Sequence, residues 1–274
     1  MIGQDDNDVI IDVQDVSVRF AVGHGETFTA LQSVNLKIRA GSFVCLVGPS
    51  GCGKSTLLNV IAGLQPVSEG RVTYRGKEIR GVNWRTGYLT QRDLLLPWRT
   101  LENNVGLALE IQHVPRDERE RRVGAMIEGV GLSGFEKSFP AQLSGGMRKR
   151  ATLARTLIYR PETLLMDEPF AAVDAILRVS LHEMLMELWE REKSTVVFVT
   201  HDLEEALLLS DQVVLFSSRP GRIVHVEDVP FARPRNLIAS RSEPEFGRMW
   251  FKLWSYLDEH KSHQGSAPGS PVAE

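Results

Sequence analysis

The chain has 274 residues, 42% hydrophobic and 24% charged, the balance of a soluble globular protein with room for one large domain or two small ones. A formal net charge of -3 gives no basic tract for nucleic acid, and the two cysteines, Cys45 and Cys52, exclude a disulfide framework. The start MIGQDDNDVIIDV is acidic where a secretory signal is basic, and no apolar run approaches the roughly 18 residues of a membrane span, so the chain is expected in the cytosol.

From VIIDVQDVSVRF to about residue 90, alternating apolar residues and turn pairs such as Arg75-Gly76 predict short strands in hairpins. They are expected to wrap a buried strand, SFVCLV, in which Cys45 acts as a small hydrophobe. The stretch GPSGCGKST follows at 48–56 and fits G-x-x-x-x-G-K-[ST] through Gly48, Gly53, Lys54 and Ser55. It lies between that strand and a predicted helix, LLNVIAGL, which is the setting a phosphate-binding P-loop requires. In such a loop successive N–H groups turn inward as an anion nest, and the helix N-terminus adds positive charge. Pro49, Ser50, Gly51, Cys52 and Thr56 complete the cradle, Lys54 reaches the β- and γ-phosphates, and Ser55 ligates Mg²⁺. Cys52, among those N–H groups and near Lys54, is expected to favour its thiolate.

Residues 92–155 are rich in helix formers and predict an inserted helical subdomain. Val123, Ile127 and Val130 fall at helical spacing, and the run from Arg116 to Arg122, with Glu118 and Arg122 at i,i+4, reads as a solvated face. The segment LSGGM follows at 143–147. Ser144 with the N–H groups of Gly145 and Gly146 can form a second anion site at a helix head, or be an ordinary helix cap. Two apolar strands then end in polar residues, ETLLMDEP and STVVFVTHD, separated by a helix whose Leu177, Leu181, Leu185 and Leu188 share a face. Such alternation implies a mostly parallel sheet between helices, which binds ligands at the carboxyl ends of its strands.

Three of those ends carry suited residues. Asp167 can hold a Mg²⁺ shell and Glu168 can polarise an attacking water, although acidic residues also cap helices after strands. His201 can donate to a γ-phosphate, a position that an ordinary surface or core histidine also fits. Gln91 follows TGYL, where its amide can coordinate Mg²⁺; alone it says little.

Taken in order, GPSGCGKST, Gln91, LSGGM, TLLMDEPF, AAVD and VTHD resemble the nucleotide-binding subunit of an ATP-binding cassette (ABC) transporter across nearly all of residues 10–225. The resemblance implies a P-loop NTPase (RecA-like) α/β core with an antiparallel β subdomain and a helical insert. It implies ATP and Mg²⁺ as ligands, Gln91 as the Q-loop, Leu143 to Met147 as the signature, Asp167 and Glu168 as the Walker B pair, Asp174 as the D-loop aspartate and His201 as the switch. Phe20 would stack on adenine, although a core aromatic alternating with Val16 and Val18 would show the same pattern. Two copies would pack head to tail, each signature covering the ATP on the other's P-loop. Met147 in place of glutamine, together with LSGGMRKR, DEPFAAVDA and SSRPGRI, is similar to importer ATPases of the nitrate, sulfonate and taurine group. The partners so implied are a second copy, transmembrane permease subunits and, indirectly, an external solute-binding protein, with the chain on the cytoplasmic face of the inner membrane and no nucleic acid. A soluble cassette acting on nucleic acid or ribosomes would join two cassettes or carry a long coiled coil, and a P-loop phosphotransferase would need an acceptor.

The expected division is 1–91 for the β subdomain and P-loop part, 92–155 for the helical subdomain, 156–225 for the rest of the core, 226–262 for a helical extension and 263–274 for a disordered tail. In the extension Phe246, Met249, Trp250, Leu253 and Trp254 share a helical face, for which docking on the chain's own core is the expected use.

Overall fold

The computed structural model describes residues 8–23, 26–171 and 173–261. The expected tail therefore lies outside the described residues. In chain order the first elements are β1 (Val9–Ala21), β2 (Thr27–Arg39), β3 (Phe43–Val47), α1 (Lys54–Ile61), β4 (Glu69–Tyr74), β5 (Lys77–Glu78) and β6 (Thr86–Leu89). The helices α2 (Leu101–Val105), α3 (Leu107–Ile111), α4 (Arg116–Gly129) and α5 (Gly145–Leu157) follow, then β7 (Thr163–Asp167), α6 (Ala175–Glu192), β8 (Thr195–Thr200) and α7 (Leu203–Leu209). The chain continues through β9 (Gln212–Phe216), β10 (Ile223–Asp228) and α8 (Pro244–Lys261).

The strands form two sheets. One has the order β10-β9-β3-β8-β7-β6, parallel except for β10, and the other is antiparallel in the order β2-β1-β4-β5. All five residues of β3 are buried, as a continuous apolar run between parallel neighbours requires. Because side chains alternate along a strand, β3 serves both faces of its sheet. Phe43, Cys45 and Val47 face a core built with α6, α7 and α8, while Val44 and Leu46 face one shared with α1 and the antiparallel sheet.

The hairpin strands do not wrap the P-loop strand. They form a sheet of their own, apart from one isolated bridge from β2 to Gly221, and β1 and β2 are 13 residues each rather than short; register shifts along the pair are the bulges that let long strands twist. The Arg75-Gly76 turn is a two-residue hairpin with φ of 48° and 72°, the positive values a type I′ turn needs.

Helices α2 to α5 enclose a core of their own containing Leu101, Val105, Val123, Ile127, Val130 and Ala151. The expected boundary at 155 falls inside α5, whose Leu153 reaches the main core. On α4, Glu118 pairs with Arg121, and Arg116 pairs with Glu120 at 2.7 Å. Arg122 is not Glu118's partner. Its guanidinium turns inward and donates to Ile158 O at 2.7 Å, satisfying a carbonyl at the end of α5.

The C-terminal helix packs on the main core through Phe246, Met249, Leu253 and Leu257. Trp250 and Trp254 stack at 5.4 Å beside that contact, and Trp254 stays 40% exposed. Among the described residues no helix is long and apolar enough to cross a membrane.

Candidate functional site

The parallel strands bring their carboxyl ends to one edge of the sheet, and the polar residues gather there. After β3 the loop 48–53 leads into α1. Gly53 caps that helix with φ 108°, and a Cβ there would lie 2.7 Å from Ala30 O, so both conformation and space demand glycine. Lys54 is buried, with its Nζ donating to Gly48 O at 2.7 Å and Pro49 O at 2.9 Å. Those carbonyls satisfy an ammonium that would otherwise be unpaired inside the protein.

Cys52 departs from expectation. It is almost wholly buried, and burial pushes its thiol up from the ordinary value, with Lys54 only partly offsetting this. The favoured species is the protonated thiol, not a poised thiolate. Its place in the loop is unchanged, with its Sγ 3.7 Å from Lys54 Nζ.

Across the edge, Ser55 Oγ donates to Asp167 Oδ1 at 2.8 Å, joining residues that the sequence separates by 112 positions. Burial raises the Asp167 carboxyl above the usual Asp range, opposed by the Ser55 hydrogen bond and reinforced by Glu168. A cation would relieve that cost. Hydroxyl and carboxylate oxygens are the hard donors that Mg²⁺ accepts beside phosphate and water, so the pair fits this ion. Among the described residues no cluster of three or more His, Cys, Asp or Glu could hold a metal ion.

Glu168 has φ 45°, a left-handed conformation uncommon outside glycine, and its N–H donates to Val199 O at 3.1 Å. Its Oε2 lies 3.3 Å from His201 Nδ1, the histidine standing exposed at the end of β8. Gln91, beyond β6, is held through its backbone, whose carbonyl accepts from Lys149 Nζ on α5 at 2.7 Å. No hydrogen bond among the described residues ties its amide to Ser55 or Asp167. Lys149 also pairs with Asp93 at 3.0 Å; this anchoring was not foreseen, and only the basic face MRKR hinted at it.

Ser144 caps α5 by accepting from Met147 N at 3.3 Å, and Asp174 caps α6 by accepting from Leu177 N at 3.0 Å. Ser144, Gly145 and Asp174 are exposed and Gly146 half-buried. No hydrogen bond or ion pair among the described residues joins the signature to the P-loop of the same chain. Phe20 is 36% exposed, which rules out the core reading. It sits opposite Phe28 in the β1–β2 pair, so the two rings project from one face.

A buried pair underlies the edge. His182 Nε2 of α6 lies 2.6 Å from Glu205 Oε1 of α7, and Phe170, just after Glu168, meets the His182 ring edge-on at 5.4 Å. The helices that follow Asp174 and His201 are thus tied beneath the Walker B segment. Sequence reading missed both residues, because a histidine on a helix face carries no sign of its partner.

The arrangement can bind a nucleoside polyphosphate with a divalent cation and present a carboxylate to water. Comparison with known proteins agrees. The ABC transporter family profile matches residues 31–171. An uncharacterised ABC transporter ATP-binding protein of Methanocaldococcus jannaschii is 46% identical over 213 residues, 78% of this chain and 80% of that one. A taurine import ATP-binding protein of Rhizobium johnstonii is 44% identical, covering 82% of this chain and 86% of its own, and an aliphatic sulfonates import ATP-binding protein of Bacillus cereus is 41% identical, covering 82% and 89%. Among solved structures, the dimeric ATP-binding cassette MJ0796 in a post-hydrolysis state with ADP and Pi superposes with a TM-score of 0.72 at 30% identity, covering 81% of this chain and 100% of that one. The fold is that of a P-loop NTPase cassette, and the chain belongs to the ABC transporter ATP-binding family as an ATPase.

Proposed function

We propose that the chain is the ATP-hydrolysing subunit of an importer, working as a dimer on the cytoplasmic side of the membrane against permease subunits. The observation that carries this reading is the meeting of the Ser55–Asp167 pair and the Glu168–His201 pair at one sheet edge. Glu168 polarises the attacking water, and His201 stabilises the charge that develops on the γ-phosphate. Lys54 gives up its loop carbonyls for the β- and γ-phosphates. Ser55 and Asp167, with the Gln91 amide, would hold Mg²⁺, which would neutralise phosphate charge. The P-loop from Gly48 to Thr56 holds the phosphates and Phe20 takes the adenine.

Ser144 and Gly145 are exposed at the head of α5, and among the described residues no hydrogen bond or ion pair joins them to their own P-loop, which supports a signature that closes on a second subunit. The partner subunit's Ser144 then covers the γ-phosphate, with Asp174 at the seam. Dimeric cassettes among similar structures support this assembly. The solute is a small one such as nitrate, a sulfonate, taurine or a related organic compound, delivered by an external binding protein; the names of the taurine and sulfonate relatives support this reading.

The test is Glu168→Gln. The amide still holds water but cannot take its proton, so hydrolysis should fall by about 10²-fold or more, while ATP with Mg²⁺ should hold the variant as a dimer in size-exclusion chromatography. Undiminished turnover, or a monomer under those conditions, removes the role given to Glu168.

A further inference from the structure

The turn after β9, residues 217–222, has no part in the site described above, yet it touches that site on two sides. Gly221 N donates to Ala30 O at 2.9 Å and its carbonyl accepts from Gln32 N at 3.0 Å, a parallel bridge onto β2. A Cβ on Gly221 would stand 2.0 Å from Cys52 O, so the turn's backbone lies directly against the P-loop. On its far side Ser218 Oγ donates to His260 O of α8 at 3.3 Å. The turn is therefore fixed from three directions.

Arg219 projects from this fixed base. Its Nε donates to Gly51 O at 2.6 Å, and its guanidinium carbon sits 5.2 Å from the centre of the Phe28 ring, the ring opposite Phe20. The groups it holds are a carbonyl and an aromatic face, and neither cancels its charge. In a trans peptide the carbonyl of one residue and the N–H of the next point opposite ways. Holding Gly51 O outward therefore holds Cys52 N–H inward, toward the loop interior, where it donates to Pro49 O at 3.3 Å.

We propose that Arg219 is a nucleotide-positioning residue, a second cation of the phosphate cradle. Lys54 supplies positive charge from within the loop, and Arg219 supplies it from outside while holding the Gly51 carbonyl and so fixing the loop's shape. Its place between the loop and the Phe20–Phe28 face lets one side chain align the phosphate and base ends of the site. The proposal rests on nucleotide binding by the P-loop.

The experiment titrates the full-length chain with a fluorescent ribose-labelled ADP at low and high salt. Arg219→Ala should weaken binding about tenfold, the scale of one charge-assisted hydrogen bond. Arg219→Lys, which keeps the charge, should recover more of the affinity than Arg219→Gln, which keeps a donor but is neutral. The gap between Lys and Gln should narrow at high salt, as a charge effect at an exposed site does. Arg219→Ala binding ADP like the unaltered chain overturns the proposal. So do equal affinities for the Lys and Gln variants, which would leave Arg219 as a mere tether. Lys54→Ala serves as the control for cradle binding. If the unaltered chain itself fails to bind, the nucleotide reading falls too, whereas intact binding by Arg219→Ala removes only the role of Arg219.

Discussion

Glu168 holds its backbone at φ 45° immediately after a buried strand, an arrangement the surrounding sheet must stabilise against a cost on the order of 1 kcal/mol. The strain turns the chain so that neighbouring carboxylates do different work, Asp167 toward Ser55 and Glu168 toward His201. Such residues were legible in the sequence because each ends a run of apolar residues, and a strand's end is where a parallel sheet meets its ligand. Arg219 was not, since its bond to Gly51 spans 168 positions and the RPG segment reads as a plain turn. Cys52 was misread for a related reason: its cationic neighbours are visible in GPSGCGKST, but its burial is not. The structure reverses the reactivity expected of it. Since burial raises the thiol above its ordinary value of 9.0, the thiolate is scarce at neutral pH and grows only as pH climbs beyond that value. A maleimide should therefore modify Cys52 slowly near pH 7, with a rate that still rises above pH 9 in a stopped-flow assay. A rate already level near pH 7 would restore the poised thiolate.

At the scale of elements, helices carrying a single apolar stripe were the easiest to read. Leu181, Leu185 and Leu188 of α6 and Phe246, Met249 and Leu253 of α8 are all buried, as helical spacing demands. The pairing of the hairpin strands was harder, because alternation says which face a strand buries and nothing about which sheet it joins. Hardest were bonds between elements, of which His182 with Glu205 is the chief example. Removing one partner leaves the other polar and buried without compensation. His182→Ala should thus destabilise the chain by about 3 kcal/mol, read from urea unfolding midpoints. His182→Gln, whose amide can still donate to the carboxylate, should lose less. A loss below about 1 kcal/mol for the alanine variant, within the range of surface substitutions and minor contacts, would show that the pair does not fasten α6 to α7.

For the molecule as a whole, the separation of signature and P-loop predicts complementation. Lys54→Ala disables a chain's own cradle, and Ser144→Arg obstructs its signature. A mixed dimer then holds one doubly damaged site and one intact site, the latter joining the Ser144→Arg chain's cradle to the Lys54→Ala chain's signature. A photo-crosslinking ATP analogue should label the mixture above the average of the two variants alone. Labelling at that average, with mixed dimers verified, would place both motifs in one site of one chain. The breadth of the site has another consequence. Contacts converging on the cradle come from Ala30, Asp167 and Gly221 as well as from the loop, so an unfolded chain retains no fragment able to grip nucleotide. A ligand that binds only the folded form stabilises it by RT ln(1 + [L]/Kd), about 2.7 kcal/mol at a hundredfold excess over Kd. For a chain of this size that should raise the thermal midpoint by roughly 5–10 °C, measurable by calorimetry with ADP. Cellular nucleotide would then act as a folding chaperone of fixed stoichiometry, shielding the loaded subunit from proteolysis and leaving subunits starved of it as the first to be degraded.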